Sequence, residues 1–312
     1  GGQKTTSQHF KYIYNILINI EQHMAISKIS TYLMPKRESY PNNKTDWQLD
    51  PSRAVLLIHD MQRYFLNFYD AESELIKTVV NHLVQLRSWA HQNNVPVVYT
   101  AQPYEQPAED RALLNAMWGP GLPASTIDQQ KIIDQLSPAE HDIVLTKWRY
   151  SAFKRSDLLE RMQNWNRDQL IIGGVYAHIG CMVTAIEAFM SDIQPFLVGD
   201  AVADFSEEEH RLALKYVSSR CGQVVDTESV VGQVATGITR PWLEQKVQQL
   251  IEEDELDPEE NLILYGLDSL RIMQFSSELK AQGINISFEE LGRTPTLSNW
   301  WSLVDARQRI AG

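Results

Sequence analysis

The chain has 312 residues, which is enough for one large domain and one small one. Its formal net charge of −12 argues against nucleic acid or an anionic membrane surface as a partner. The only two cysteines, Cys181 and Cys221, do not form a disulfide framework and fit a reducing cytosol, so we predict a cytoplasmic protein. The sequence shows no stretch that predicts a transmembrane helix.

An N-terminal segment precedes the predicted domains. Residues 1–23 precede Met24, which has the character of a natural start. The apolar run Phe10–Ile20 includes Lys11, has about half the length of a membrane span, and is not followed by a signal-peptide cleavage pattern. We therefore expect residues 1–23 to be an upstream extension without a role in function.

Residues 24–231 predict an α/β domain. The continuous apolar run Ala54–His59 is typical of a strand buried on both faces of a parallel sheet. About six strands alternate with helices, which predicts a doubly wound parallel sheet in three layers with right-handed crossovers. Strands are predicted at 54–60, 95–100, 142–147, 169–173, 194–199 and 223–226, and helices at 72–93, 158–165, 179–190 and 206–218, after a polar, extended arm at 25–50.

The stretch Leu170–Met190 carries the main site signal. An apolar strand ends at Gly173 and Gly174, and residues with helical spacing begin at Ile179. A helix that follows a strand in this way can bind negative charge at its first N–H groups, and ligands bind beyond the ends of such strands. The long connection 101–140 is rich in proline and glycine and is too long to lack a function in a compact domain.

Two charged residues should join this turn. Asp60 and Lys147 both lie where a predicted strand meets its loop, and Gly180 opens a helix after another strand. Because the carboxyl ends of parallel strands lie at one edge of the sheet, we expect the three residues to come together there. Taken alone, Asp60 could be a helix N-cap and Lys147 a surface charge.

Residues 46–231 resemble the isochorismatase-like cysteine hydrolase superfamily. The motifs are His59-Asp60-Met61-Gln62, Thr146-Lys147-Trp148-Arg149-Tyr150-Ser151-Ala152-Phe153 and the turn from Gly174 to Gly180. Most members are amidases with an Asp, Lys and Cys triad, but Gly180 stands at the cysteine position here. Cys181 is one step further and should point about 100° away on the helix. A missing thiol is the mark of the isochorismatase branch, which hydrolyses a vinyl ether without a covalent intermediate.

The resemblance implies a set of site residues. The implied catalytic positions are Asp60, Lys147 and Gly180, and the implied substrate-binding positions are Gln102, Arg111, Trp118 and Tyr176. It also implies a cis peptide at Val175–Tyr176. The open alternatives are core filling for Trp118 and a surface charge for Arg111.

The implied substrate is isochorismate, which carries two carboxylates. Arg111 offers a planar fork of donors to one carboxylate, Trp118 can cover the ring, and Tyr176 can donate a hydrogen bond. Protonated Asp60 gives its proton to the methylene carbon of the enolpyruvyl group; water then adds, and the hemiketal collapses to pyruvate and 2,3-dihydro-2,3-dihydroxybenzoate. We expect Gly180 to leave the place of the thiol open, with backbone N–H groups facing the developing negative charge.

No metal site is expected. The eight histidines show no i, i+4 pair or similar ligand spacing. His178 lies in the site turn and is interpreted as a structural or hydrogen-bonding residue. This differs from the superfamily amidases that bind zinc through an Asp and two His residues.

The composition changes near Val230. Residues 232–240 read as a linker, and residues 241–312 are acidic and helical; from Ile238 onward there are 13 Asp and Glu against 7 Lys and Arg. Helical patterns at 241–251, 270–282 and 297–309 predict a small antiparallel helical bundle.

The motif Gly266-Leu267-Asp268-Ser269-Leu270 resembles the core of an acyl, peptidyl or aryl carrier domain, and the resemblance covers residues 238–309. It implies that the Ser269 hydroxyl receives 4′-phosphopantetheine. A helix N-terminus favours the resulting phosphodiester. The simpler alternative is that Asp268 or Ser269 is an ordinary N-cap. Exposed apolar residues nearby, such as Leu270 and Met273, are candidates for partner docking.

An isochorismatase followed by a carrier resembles the bifunctional isochorismatase–aryl carrier proteins of catechol siderophore biosynthesis, which serves iron acquisition. The resemblance implies that the carrier holds 2,3-dihydroxybenzoate as a thioester for non-ribosomal peptide synthesis. The implied partners are a 2,3-dihydroxybenzoate-AMP ligase, a phosphopantetheinyl transferase and a condensation domain. Whether the chain forms a homo-oligomer stays open. Two alternatives also stay open: a degenerate hydrolase domain that acts as a scaffold for the carrier, and a cysteine amidase that uses Cys181.

Overall fold

The computed structural model describes residues 26–233, 237–251 and 255–311. These residues form two compact units, the first of which ends at Gln233. The predicted extension at 1–23 lies outside the described residues. Within the described ranges, no helix is long and apolar enough to cross a membrane.

The first unit is built on a parallel sheet of six strands among the described residues. They are β1 (Ala54–His59), β2 (Val97–Ala101), β3 (Ile143–Thr146), β4 (Gln169–Val175), β5 (Gln194–Ala203) and β6 (Gln223–Val225). Their order in the sheet is β3-β2-β1-β4-β5-β6, and every pair is parallel. The winding direction therefore reverses between β1 and β4, and such a reversal opens a crevice at the carboxyl ends of the strands.

Helices cover both faces of this sheet. They are α1 (Arg63–Leu66), α2 (Glu74–Gln92), α3 (Ala108–Arg111), α4 (Leu114–Trp118), α5 (Leu158–Asn164), α6 (Met182–Met190), α7 (Glu207–Arg220) and α8 (Thr227–Val231). Side chains of α2 pack with Leu56 and Ile58 on one face, whereas those of α5, α6 and α7 pack with Val55 and Leu57 on the other. Alternate β1 residues thus enter separate cores, and the prediction of a three-layer, doubly wound α/β fold is confirmed.

Two parts of the first unit differ from the predicted elements. Strand β5 continues past Gly199 to Ala203, and its register against β4 shifts between Ile172 and Gly174. The connection 101–140 contains α3, α4 and short 3-10 turns. Sequence periodicity missed these pieces because each has five residues or fewer, which is too short for a helical pattern to emerge.

The arm at 26–50 lies along the sheet edge formed by β6. The Asn43 side chain accepts a hydrogen bond from the Val224 N–H at 2.8 Å and donates one to the Val224 carbonyl at 2.9 Å. The Gln223 amide donates to the Thr45 carbonyl at 2.8 Å. An exposed strand edge presents unpaired backbone groups, and the arm satisfies some of them here. The prediction of an extended surface arm is confirmed for these residues.

The second unit is helical. Its helices are α9 (Arg240–Leu250), α10 (Ser269–Ala281), α11 (Phe288–Arg293) and α12 (Leu297–Ala311). Phe275 stacks on Trp300 with ring centroids 5.1 Å apart at the centre of the core. Helix α11 was not predicted, although Ser287 and Glu290 form the capping box that signals a helix start. Ile238, inside the predicted linker, is buried in this core and bonds Gln308 through both its N–H and its carbonyl.

Candidate active site

A cavity opens beyond the carboxyl ends of β1, β2, β3 and β4, at the point where the winding reverses. About 610 Å³ of space lies between the protein atoms that line it, and part of this space is open to solvent. It is lined by Ile26, His59, Asp60, Tyr64, Phe65, Gln102, Arg111, Leu114, Trp118, Gly121, Lys147, Arg149, Tyr150, Tyr176, Ile179, Gly180 and Phe205. The predicted site residues Asp60, Lys147, Gly180, Gln102, Arg111, Trp118 and Tyr176 are all among them.

Asp60 and Lys147 form a buried ion pair on the cavity wall. The Lys147 Nζ lies 3.1 Å from Asp60 Oδ2, and both side chains are less than a tenth exposed. The Thr100 hydroxyl donates to Asp60 Oδ1 at 2.6 Å, and its oxygen accepts the Asp60 N–H at 3.1 Å. Asp60 has a φ of 50°, an uncommon value for a residue with a side chain. The carboxyl group is therefore fixed from both sides, and the N-cap alternative for Asp60 does not apply.

His59 is packed directly beside this pair. Its Nδ1–H donates to the Val175 carbonyl at 2.7 Å, and Nδ1 also lies 3.6 Å from Asp60 Oδ2. Burial lowers the pKa of His59 to about 4, so the imidazole is neutral at pH 7. Sequence reasoning gave no role to His59 or Thr100 because each reads as one more residue of a buried strand.

The site turn Ala177–Cys181 follows β4 and has π-helical geometry. The predicted cis peptide at Val175–Tyr176 is confirmed. Asp204, at the end of β5, accepts hydrogen bonds from the backbone N–H and Nδ1 of His178, both at 2.6 Å, and from the Phe205 N–H at 2.8 Å. His178 is thus a hydrogen-bonding residue, as predicted, and Asp204 is a positioning residue that sequence reasoning missed.

One expectation about the turn is wrong, and a second is not met by three of the N–H groups. The space beside Gly180 is not open, because the His59 ring fills it. The N–H groups of Ile179 and Cys181 both point back to the Tyr176 carbonyl, and the His178 N–H is bonded to Asp204, so these three donors do not face the cavity. The charged groups that a ligand would meet in the cavity are side chains.

Cys181 lies outside the cavity. Its side chain is fully buried in the core between the sheet and α6, among residues such as Ala177 and Ala185. Burial raises the thiol pKa well above its usual value. The predicted turn away from the Gly180 position is confirmed, and the geometry opposes a role for Cys181 as a nucleophile.

The predicted substrate-binding residues hold one another in place. Arg111 is buried; its Nε donates to the Gly119 carbonyl and its Nη1 to Gln106, both at 2.8 Å. Gln106 in turn donates to the Gln102 side chain at 3.4 Å. Arg111 is not a surface charge, contrary to the alternative from the sequence. Burial lowers its pKa, but a guanidinium remains charged.

The aromatic residues form the apolar walls. The Trp118 indole N–H donates to the Tyr150 hydroxyl at 2.8 Å, and Trp118 is half-buried at the cavity, which rules out simple core filling. The Tyr176 hydroxyl donates to the Phe65 carbonyl at 2.9 Å, and its ring lies 4.6 Å from the Phe205 ring. Tyr176 therefore donates its hydroxyl proton within the protein in this structure, and its hydrogen bond to a ligand stays a prediction.

Arg149 is a cavity residue that the sequence analysis quoted but did not assign. Its Nη1 donates to the Asp110 carbonyl at 2.8 Å. Among the residues that the structure describes, the charged side chains lining the cavity are Asp60, Lys147, Arg111 and Arg149, so one acidic group faces three basic groups. The surplus of two positive charges suits a dianion.

Two groups of potential metal ligands occur among the described residues. They are His91, His141 and Asp142, and His178, Asp204 and Glu209, each with ligand atoms within 4.8 Å of one another. Spacing along the sequence could not reveal them, because their members come from different elements. His91 and His178 both bond a buried carboxylate in these groups, at 2.8 and 2.6 Å. The carboxylates thus have structural partners.

Ser269 is the first residue of α10 and is exposed. The N-cap is Asp268, whose carboxylate accepts the Arg271 N–H at 2.8 Å. The Ser269 hydroxyl is therefore not needed to cap the helix, and a phosphodiester there would meet the free N–H groups of a helix start. Several apolar side chains close to it in the sequence are each more than half exposed, namely Ile263, Leu264, Leu270 and Met273.

The first unit thus has the features of a hydrolase on a doubly wound parallel sheet, in which a carboxyl–lysine pair faces a cavity that the thiol of the turn, Cys181, does not reach. The second has the features of a carrier. Comparison with known proteins agrees: residues 54–229 match the isochorismatase domain and residues 241–303 match the phosphopantetheine attachment site. The chain belongs to the isochorismatase family and also carries a phosphopantetheine-binding domain.

Relatives with both parts are found. The chain is 48% identical to enterobactin synthase component B of Escherichia coli over 90% of this chain and 98% of that protein. It is 44% identical to an isochorismatase of Bacillus subtilis over 92% of this chain and 97% of that protein. Among solved structures, a cysteine hydrolase from Pseudomonas syringae superposes with a TM-score of 0.53 at 20% identity, covering 62% of this chain and 96% of that chain. The last comparison concerns the fold alone.

Because burial keeps His59 neutral, we predict that the free energy of unfolding of the protein depends on pH. In the unfolded chain a histidine titrates near 6.5, whereas burial holds the pKa of His59 at about 4. Below pH 6.5 the unfolded chain takes up a proton that the folded chain refuses, so stability is lost as the pH falls toward 4. The variant His59→Gln lacks this titrating group. The unfolding free energy of the wild type minus that of His59→Gln should therefore be about 2 kcal/mol smaller at pH 5 than at pH 7.

Urea unfolding of both proteins at the two pH values measures this difference. His82→Gln is the matched control, because His82 also bonds a backbone carbonyl but is only partly buried. An unchanged difference between wild type and His59→Gln at the two pH values would mean that His59 takes up a proton in the folded state.

Proposed function

We propose that the first unit hydrolyses isochorismate to pyruvate and 2,3-dihydro-2,3-dihydroxybenzoate with Asp60 as the general acid, and that the second carries 2,3-dihydroxybenzoate on Ser269. The observation that carries the hydrolase assignment is the buried Asp60–Lys147 pair in a cavity whose turn holds Gly180 in place of a nucleophile. The hydrolase domain spans about residues 24–231. The linker then ends before Ile238, and the carrier domain includes that residue.

Charge selects the substrate. Isochorismate brings two carboxylates, and the cavity offers two more positive than negative side chains. Arg111 and Arg149 each present a guanidinium, which suits a carboxylate better than an ammonium does. Lys147 is already bonded to Asp60, so the two arginines are the natural carboxylate partners. Gln102 lies between the Gln106–Arg111 pair and the end of β2, where it can bond a hydroxyl of the ring.

The first chemical step is proton transfer to carbon. Protonated Asp60 donates to the methylene carbon of the enolpyruvyl group, and the positive charge that results spreads over the ether oxygen and its carbon as an oxocarbenium ion. The Asp60 carboxylate that is left lies next to this cation and stabilises it.

Water completes the reaction. It adds to the oxocarbenium carbon and loses a proton, which gives a hemiketal. The hemiketal hydroxyl then gives its proton to the departing ring oxygen, the carbon–oxygen bond breaks, and the products are pyruvate and the diol. Lys147 and Thr100 hold the Asp60 carboxylate through both oxygens, so it is ready to accept the proton released. Trp118, Tyr176 and Phe205 limit the entry of further water.

The carrier requires partners. Ser269 is exposed for a phosphopantetheinyl transferase, and the arm, when attached, supplies a thiol that forms the thioester. The exposed apolar residues Ile263, Leu264, Leu270 and Met273 offer a small docking face for a 2,3-dihydroxybenzoate-AMP ligase and a condensation domain in turn. Partners that must exchange use small interfaces. The two free cysteines favour a cytoplasmic location.

The alternatives are weaker. A scaffold without activity would not need a buried ion pair, because an unused pair of buried charges is costly to keep. A cysteine amidase that uses Cys181 would need that thiol in the cavity, whereas it lies in the core.

Two substitutions should separate the two functions. Asp60→Asn removes the acid but keeps the shape, so pyruvate release from isochorismate should fall at least about a thousandfold. Ser269→Ala should leave pyruvate release unchanged and abolish attachment of the phosphopantetheine arm, measured by mass. Each variant is the control for the other. Fast pyruvate release by Asp60→Asn would remove the acid role, and no release by folded wild type would leave the first unit as a scaffold.

Arg149 should contribute mainly to substrate binding. In Arg149→Gln one carboxylate loses a charged partner, which we expect to raise KM about tenfold or more, with a smaller change in kcat. Steady-state pyruvate release measures both. Arg155→Gln is the matched control, since Arg155 bonds the same Asp110 but does not line the cavity. Equal effects of the two variants would show that Arg149 acts through Asp110 and not through the substrate.

A further inference from the structure

The place beside Gly180 is occupied by His59. A Cβ atom added at Gly180 would lie 2.1 Å from His59 Cε1, 2.6 Å from Nε2 and 3.1 Å from Nδ1. Carbon atoms that are not bonded pack at about 3.5–4 Å, so even an alanine does not fit while the ring stays in place. Gly180 is therefore required by a particular neighbour and not only by the geometry of the turn.

The ring cannot easily move aside. His59 is in the middle of the sheet, paired with Thr100 of β2 on one side and Gly174 of β4 on the other. Its side chain is 1% exposed and is fixed by the 2.7 Å hydrogen bond to the Val175 carbonyl. Its backbone is equally confined, because Gly174 lies so close that a Cβ there would be 2.2 Å from the His59 carbonyl oxygen. The conflict at position 180 is thus with a rigid group.

We propose that His59 is a specificity-determining residue: its imidazole occupies the space that a nucleophilic side chain at position 180 would need, and so restricts the site to hydrolysis without a covalent intermediate. The consequence for the reaction rests on the proposed function. The claim that the His59 ring leaves no room for a side chain at position 180 depends only on the distances around Gly180. A neutral ring also fills the space without adding a charge beside the Asp60–Lys147 pair.

The test is to place a thiol at position 180 with and without the ring. Gly180→Cys is made in the wild type and in His59→Ala. With His59 present, we expect the turn to be displaced and the unfolding equilibrium constant to rise at least a hundredfold. In the His59→Ala background, the factor by which Gly180→Cys raises the unfolding equilibrium constant should be at least tenfold smaller. Urea unfolding of the four proteins gives this coupling, even if none of the variants retains pyruvate release.

Thiol reactivity is the second measurement. In the double variant the new cysteine should react with iodoacetamide at least tenfold faster than the native cysteines, because it opens on the cavity near Lys147. Cys181 and Cys221 are both buried, and burial raises the thiol pKa of each, so they give a slow background in every variant. Peptide mapping by mass identifies which cysteine carries the label.

His82→Ala provides the control background. His82 is a partly buried histidine that bonds the Asp200 carbonyl at 2.7 Å and does not approach Gly180. Gly180→Cys should raise the unfolding equilibrium constant by the same factor in the His82→Ala background as in the wild type. The inference is overturned if Gly180→Cys costs the same with and without His59, or if the double variant folds but its new thiol stays unreactive. If the unfolding measurements show coupling between positions 59 and 180 but the wild type releases no pyruvate, the proposed function is wrong and the steric role of His59 remains.

Discussion

The buried ion pair between Asp60 and Lys147 is the constraint on which the first unit depends. Two charges withdrawn from water cost several kcal/mol each unless they meet closely and find further hydrogen bonds. Asp60 follows β1 and Lys147 follows β3, and β2 lies between these strands in the sheet. The residue that completes the pair is Thr100, which lies on β2 and donates to Asp60. Three adjacent strands must therefore end in register for the charges to be satisfied, and the same register creates the cavity.

The electrostatics of the cavity oppose those of the chain. The net charge is −12, about half of it carried by the helical unit, yet the cavity has a surplus of positive side chains. Such an arrangement is stable only if the positive groups have partners when no anion is bound. Lys147 has Asp60, Arg111 has the Gly119 carbonyl and Gln106, and Arg149 has the Asp110 carbonyl. The partners of Arg111 and Arg149 are uncharged, and each guanidinium has further N–H donors. An entering dianion can therefore form charged hydrogen bonds with the two arginines without breaking an ion pair.

The sequence predicted what depends on local pattern and motif. Apolar runs revealed the strands, and the positions after them revealed Asp60, Lys147 and the turn at Gly180. Contacts between distant segments were not predictable: Asp204 holds the turn from 26 residues beyond His178, and the Tyr176 hydroxyl bonds the Phe65 carbonyl 111 residues away. His59 was missed because nothing in a buried strand distinguishes a ring that fills a neighbour's space from ordinary core packing. Helix α11 was readable from its capping box and was overlooked because its six residues are short for a periodic pattern.

The two units have opposite requirements toward water, which explains why one chain keeps them as separate compact bodies. Proton transfer to carbon needs a fixed carboxyl group that is shielded from water, and Asp60 and Lys147 are almost wholly buried. Group transfer by a carrier needs an attachment point that several proteins can reach, and Ser269 is exposed at the start of a helix. A carrier whose attachment residue were buried could not be loaded, and a general acid open to solvent would be hydrated. The second unit also leaves Leu264 and Leu270 exposed, and exposed apolar side chains are a feature of surfaces that bind other proteins.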